Sequence, residues 1–419
     1  MSEATLRWQR YPVAEATFGA EANYQHGRLA IDEAALRAEL LRDARFAGVD
    51  LALVAPSEAA RIINIVDVIE PRIKPDRAVP DYYPGVGTGP FLVGTGATNV
   101  LGGLVVMTTA LLDQAEDVVV STEPGQPLRS RYAEGWILVV SPHAAPGVGN
   151  DEYARAVTAA GCRAAVALAR ATLGPEPIET VALDAASPSA MAPRLGYVCY
   201  LYSHGFARQK LVYGCASTGL APTILPLAQL LDGAVVDNGY TRPVRNSTHD
   251  LVNNGVALAL AAGHGRTHTA AGLILVPHAT ELAYKRLYAE QAARLAREVL
   301  RCDGVVISKD GGGQGDVDVM AVVEACEGLG LRTVAAVCEI AGEEGDQFPV
   351  VTTVPQADAL VSLGNMTEAV QFGPIARVLG GPRLGRHTAD PHGPFSLPAG
   401  QVPGLLDMMG GTPVRGLVY

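Results

Sequence analysis

Long apolar runs are missing from this chain of 419 residues. No uncharged apolar stretch of about 18 residues occurs, so no segment is expected to cross a membrane as a helix. The longest tracts, Gly102 to Leu112 and Gly255 to Gly263, are short and rich in Gly and Ala, and they read as core elements packed closely against neighbours. The opening Met1-Ser2-Glu3 lacks the basic-then-apolar order of a secretory signal, so the expected location is the cytoplasm. Cysteine is scarce: six residues with no CxxC or other short pair exclude a zinc knuckle and a disulfide framework, leaving reduced, mostly buried thiols. Repeats at solenoid periods are absent, and the 46 glycines and 28 prolines are spread along the chain, so no low-complexity linker is expected. Positive charge is also short. With 32 basic against 43 acidic residues the net charge is -11, which disfavours nucleic acid, whose affinity rests on neutralising phosphates.

What is present is a chain with 48% hydrophobic residues, enough for two or three domains. Leu6 to Thr17 and Arg28 to Ile31 flank a Gly-containing turn region and suggest paired strands. Asp32 reads as the N-cap of a helix over Glu33 to Arg42 that would bury Leu36, Leu40 and Leu41, with a strand over Val49 to Ala55 behind it. Arg61 to Arg72 alternates as one strand stopped by Pro71. Beyond about residue 150 helices and strands alternate. Helices are expected over Tyr153 to Leu173, Glu281 to Leu300 and Val317 to Leu329. Strands are expected over Tyr197 to Tyr202, Ala234 to Val236, Leu273 to Val276, Gly304 to Ser308, Arg332 to Cys338 and Ala359 to Leu363. The predicted class is α/β: an N-terminal α+β unit over 1–150, then a doubly wound, mainly parallel sheet region over 151–419. Ligands of such sheets sit at the carboxyl ends of the strands.

Two glycine-rich loops invite a nucleotide reading and fail it. Val93 to Asn99 has no following P-loop lysine, and Lys309-Asp310-Gly311-Gly312-Gly313-Gln314-Gly315-Asp316 fits neither GxGxxG nor GK[ST]. The second loop reads as a tight turn serving a ligand or a subunit contact, with Asp316 able to cap the next helix. Subunit contacts there and in the N-terminal unit would make a homodimer or hetero-oligomer.

Several stretches together carry a resemblance. Arg61 to Lys74, Val93 to Thr109, Leu211 to Gly214, Asp232 to Gly239, Val305 to Asp346 and Ala357 to Asn365 occur in the order and spacing of the glycine/sarcosine/betaine reductase component B proprotein family, which this chain resembles over most of its length. The resemblance implies a subunit of an amino-acid reductase whose proprotein cuts itself between an asparagine and a cysteine, the cysteine becoming a pyruvoyl group that condenses with the substrate amine. A thiol or selenol of a partner subunit then attacks the α-carbon.

The matching pair here is Asn238-Gly239. Glycine has no β-carbon, so the acyl shift and β-elimination that make a pyruvoyl group cannot occur at Gly239, and no cofactor is expected. Asn-Gly is also a favoured tight turn. Ser247 lies well past the junction and reads as a local hydrogen-bonding residue.

Polar residues are dense after the junction. Arg245 could hold a carboxylate in two-pronged fashion, and Asn246, Thr248, Asn253 and Asn254 could complete a substrate site. Asn253-Asn254 reads equally as a helix cap. His249, or His204 after a predicted strand, could act as general acid or base, and an ordinary loop histidine is the other reading of His204. His264 and His268 have i, i+4 spacing, but Gly263 and Gly265 oppose a helix there and no carboxylate or cysteine ligand is fixed nearby, so no metal is expected.

Two function classes follow. A catalytic chain without imine chemistry would suit a quaternary amine or thioether-like carbon, already carrying a good leaving group, attacked by a partner's thiol or selenol. A non-catalytic chain would be a scaffold for such a partner. The Ala-, Arg- and Gly-rich usage fits a high-GC genome, where such a relative could serve specialised biosynthesis.

Overall fold

Runs such as Leu273-Ile274-Leu275-Val276 and Val305-Val306-Ile307 are apolar on both sides of a strand, the pattern of a sheet covered on both faces. The computed structural model describes residues 5–56, 58–75, 82–86, 93–113, 117–125, 128–183, 191–201, 210–237, 246–385, 390–411 and 415–416. In it, strands Thr269–Pro277, Arg194–Leu201, Gly304–Lys309, Arg332–Glu339 and Leu360–Asn365 lie side by side and parallel. Thr223–Leu225 and Arg415–Gly416 add antiparallel edges. Numbered along the chain, the parallel strands run 2-1-3-4-5, the doubly wound order whose crevice opens between strands 1 and 3.

Helices Leu282–Arg294 and Gly315–Gly328 cover one face, bringing Ala289, Ala293, Val319 and Val323 against Val198, Ile274 and Ile307. Helices Leu227–Asp232 and Gly255–Gly263 lie on the other, with Leu230 and Leu260 in one core with Tyr197, Cys199 and Leu273. Farther along that face Ala336, Cys338 and Leu363 pack with Leu406 and Met408 from near the end of the chain. The doubly wound expectation holds, with elements displaced by a few residues, except that Val235–Val236 lies outside this sheet and pairs antiparallel with Leu211–Val212 in a small sheet of its own. The helix expected over Glu281 to Leu300 changes at Leu295–Val299 into a π turn.

The N-terminal residues build two further four-stranded sheets, one from Phe46–Val54, Trp136–Ala144, Leu104–Thr109 and Ile65–Ile69, the other from Glu179–Leu183, Leu6–Arg10, Gly96–Val100 and Arg72–Ile73. Asp32 caps helix Glu33–Leu40 as expected, accepting from the Ala35 amide at 2.8 Å. The helix stops short of Arg42, and Leu41 is 38% exposed instead of buried. The single strand expected over Arg61 to Arg72 is three short ones, Arg61–Ile62, Ile65–Ile69 and Arg72–Ile73, each in a different sheet. Asn64 makes the break: it adopts φ +54°, and its amide nitrogen donates to the carbonyls of Gly380 and Arg383.

Helix Asn150–Ala169 lies against the strands that carry Ile69 and Thr108. A β-carbon at Gly161 would stand 2.7 Å from a methyl of each. Gly161→Ala should therefore lower stability by about 1–3 kcal/mol through overpacking, although alanine is the better helix former by about 1 kcal/mol. Denaturant unfolding of the variant checks this, and a gain in stability would mean that the helix and sheet move apart without cost.

Candidate functional site

Residues 246–254 run from the carboxyl edge of the parallel sheet into the N-terminal region. Asn246 donates its backbone and side-chain N–H groups to Asp310 Oδ1 at 2.9 and 3.2 Å. Asp310 follows strand Gly304–Lys309 directly, so the sheet fixes this end. Lys210 Nζ donates to the Asn246 carbonyl at 2.6 Å and to Asp237 Oδ1 at 2.9 Å, and lies 3.3 Å from Asp310 Oδ2. Lys210, Asp237, Asn246 and Asp310 are all buried. One lysine between two carboxylates meets the requirement that buried charges be paired.

Ser247 starts helix Thr248–Val252 with a capping box, exchanging hydrogen bonds with Asp250. Thr248 donates its N–H and hydroxyl to the buried carboxylate of Asp67 at 2.9 and 2.6 Å, and its hydroxyl oxygen accepts from the Asp237 amide. Asn253 donates to Glu70 at 3.2 Å. Asn254 caps helix Gly255–Gly263 by accepting from the Ala257 amide at 2.8 Å, and donates to the Tyr197 hydroxyl at 3.1 Å. The donors of these expected site residues are thus engaged within the chain.

His249 differs. Its ring meets the Tyr132 ring edge-on at 5.0 Å, and among the described residues its buried Nδ1 has no hydrogen-bond partner, Asp250 Oδ1 lying 3.9 Å away. Burial pulls its pKa below the ordinary histidine value; Glu70 opposes the shift and Arg131 adds to it. A lowered value keeps the imidazole neutral at pH 7, the form that accepts a proton. Arg131 bonds both Asp250 and Asp407, and Tyr132 donates to Asp250 at 2.7 Å. The two carboxylates around one guanidinium divide unequally: burial raises Asp250, but Arg131, His249 and the hydrogen bonds from Tyr132 and Ser247 together outweigh it and hold the carboxyl below its usual range, whereas burial and Asp250 push Asp407 up to about 6.

His204, Asn238, Gly239 and Arg245 lie outside the described residues. The three later histidines of the cluster have ordinary partners: His268 Nε2 is 2.8 Å from the Leu260 carbonyl, His264 Nδ1 accepts from the Ala270 amide, and His278 Nδ1 is 2.8 Å from Asp318. His264 and His268 flank a turn, not a helix, and no group of three metal-ligating side chains occurs among the described residues. Asp316 falls inside the first turn of its helix, behind Gln314 at the cap position, and accepts from the Val351 amide instead. Sequence reasoning passed over Asp67, Lys210, Asp237, Asp310 and Asp407. A carboxylate in the middle of Ile65-Val66-Asp67-Val68-Ile69 was the available signal.

A doubly wound sheet whose switch point adjoins a buried polar seam places the chain in the class of open-sheet α/β proteins. The chain belongs to the glycine/sarcosine/betaine reductase component B subunits, whose family model matches residues 4–393, as the motif order implied. It is 27% identical over 376 residues to the glycine reductase complex component B subunits alpha and beta of Acetoanaerobium sticklandii, covering 88% of this chain and 87% of the relative. Against Peptoclostridium acidaminophilum, identity is 26% over 375 residues to the sarcosine reductase complex component B subunit alpha, covering 88% and 87% of the two chains. It is 27% over 390 residues to that organism's betaine reductase complex component B subunit alpha, covering 90% and 87%. No solved structure matches. No helix among the described residues is long and apolar enough to cross a membrane.

Asp407 sets a pH dependence. Its folded pKa of about 6 lies above the unfolded value of about 3.9, so the fold takes up a proton there. The stability linked to this proton is fully present below the unfolded pKa and is lost as pH rises through the folded one. Relative to Asp407→Asn, the wild type should therefore gain stability as pH falls from 7 to 4.5, measured by denaturant unfolding of both proteins. Parallel stability curves would contradict the shift.

Proposed function

We propose that this chain is a component B-like subunit of a cytoplasmic reductase complex, holding a small amine or amino-acid-derived substrate for attack by a thiol or selenol on a partner subunit, with no pyruvoyl group of its own. What supports this most is Gly239 at the position that the motif resemblance gives to the junction, in a chain whose residues 4–393 match the family model. The residues present do not fit a pyruvoyl group. Gly239 lacks the β-heteroatom that must take the acyl group, and the nearby alternative, Ser247, is buried with its hydroxyl 2.9 Å from Asp250 Oδ2 and bonded to the Asp250 amide.

Without an imine, the leaving group must already be good. In the proposed step the partner's thiolate or selenolate bonds to the substrate carbon as the C–N bond breaks, and the electron pair leaves with nitrogen. A quaternary ammonium departs as a neutral tertiary amine and needs no proton; a thioether-like substrate would break a C–S bond with the electron pair leaving on sulfur as a thiolate, which then takes up a proton. The attacking group must first lose its proton, and neutral His249 or His204 would take it. Arg245 would pair with the substrate carboxylate, and Asn246, Thr248, Asn253 and Asn254 would hold the segment that bears His249. The internal engagement of those four side chains equally favours a second reading, a scaffold that orders the partner subunit.

Denaturing mass spectrometry should show one species near 43.6 kDa; two fragments summing to that mass would reopen self-cleavage. Alanine at His204, Arg245 and His249, one at a time, should in at least one case lower turnover with the partner by about 10²-fold, the scale of a lost general acid or base, at unchanged melting temperature. Three neutral substitutions would leave the scaffold.

A further inference from the structure

The sheet order puts the ligand crevice at the carboxyl ends of strands Arg194–Leu201 and Gly304–Lys309; the chain's own Met409 packs on the face of these two strands, and Met408 lies beside the loop that follows the second. The Met409 sulfur lies 3.2 Å from the Tyr197 hydroxyl, 3.5 Å from the Ser308 hydroxyl and 3.7 Å from Cys199 Sγ. The Met409 carbonyl accepts from the Val256 amide at 2.9 Å, and the Met408 sulfur faces the Gly311 amide at 3.2 Å. Donors from four separate elements of the fold converge on one dipeptide. The hydroxyls of Tyr197 and Ser308 share one hydrogen bond of 2.6 Å, so of their two protons one is left facing sulfur. Thioether sulfur is a weak acceptor, and these buried donors would be better matched by the oxygens of an anion.

The two methionines belong to a strap with glycine at each end, Gly404 at φ +75° and Gly410 at φ +82°, values that glycine adopts without strain. Asp407 is the strap's charged anchor, 3.0 Å from Arg131. A cavity of about 20 Å³ lies beside it, lined by Pro403, Leu406 and Met408 and by Ser247 and Asp250.

We propose that Met408 and Met409 occupy a carboxylate site, and that the strap from Gly404 to Gly410 swings away to admit a small carboxylate, whose oxygens then take the amides of Gly311 and Val256 and the Tyr197–Ser308 hydroxyl pair. This rests on the substrate-binding reading above and names where the carboxyl group sits.

Hydrogen–deuterium exchange of the full chain, without partner, tests it with acetate, glycine, sarcosine and glycine betaine as probes. At least one should speed exchange of the amides of residues 405–410 by about tenfold or more while slowing that of Gly311. Met409→Leu keeps the volume and removes the acceptor, so it should raise the open fraction and lower the Kd of that probe several-fold; Met408→Leu provides a second variant should the first fail to fold. Tyr197→Phe should weaken binding. Unchanged exchange in the strap with all four probes, or a probe that protects the strap in place, overturns the proposal. A strap that opens to a carboxylate in a chain with no turnover beside any partner would overturn the reductase reading and leave this one standing.

Discussion

Asp67 has no exposed surface, sits in an apolar strand, and accepts both the N–H and the hydroxyl of Thr248. A buried carboxylate left without such donors costs several kcal/mol, so this pair fixes how the segment 246–254 meets the N-terminal sheets. Everything else in the seam follows from it. Thr248 also receives the Asp237 amide, Asp237 pairs with Lys210, and Lys210 reaches Asp310 at the end of the central strands. Polar groups in such a chain depend on one another, because each has lost water and has only its neighbours.

The same seam sets the chemistry available to His249. Its ring is pressed against Tyr132, whose hydroxyl is itself committed to Asp250, while Arg131 ties Asp250 to Asp407. The histidine is thus placed among fixed charges of both signs, the carboxylates of Glu70 and Asp250 and the guanidiniums of Arg72 and Arg131. Asn246, Thr248, Asn253 and Asn254 stand differently, since their donors already serve neighbouring residues.

The parallel sheet was legible because its strands are runs of Val, Ile and Leu too short for helices, and Asp32 was legible because capping is a local matter. Arg61 to Arg72 was not. Its alternation implied one strand with two faces, yet Ile62, Ile63, Val66, Val68 and Ile69 are all buried, and the break at Asn64 depends on carbonyls more than 300 residues away. The polar density after residue 245 was visible, but its partners Asp67, Lys210 and Asp310 come from remote positions that no spacing rule connects. Asn254 could be read as ligand or cap, and only the Ala257 amide decides for the cap.

Strand Arg61–Ile62 pairs on one side with Val120–Ser121 and on the other with Val378–Leu379. Contacts between such distant residues must overcome a large loop-closure entropy before they form. During synthesis from the amino terminus, this small sheet stays open on one edge until Val378–Leu379 has been made, more than 300 residues after Arg61–Ile62. Over that interval the nascent chain exposes an unpaired strand edge, the condition under which chains associate wrongly and chaperones are engaged.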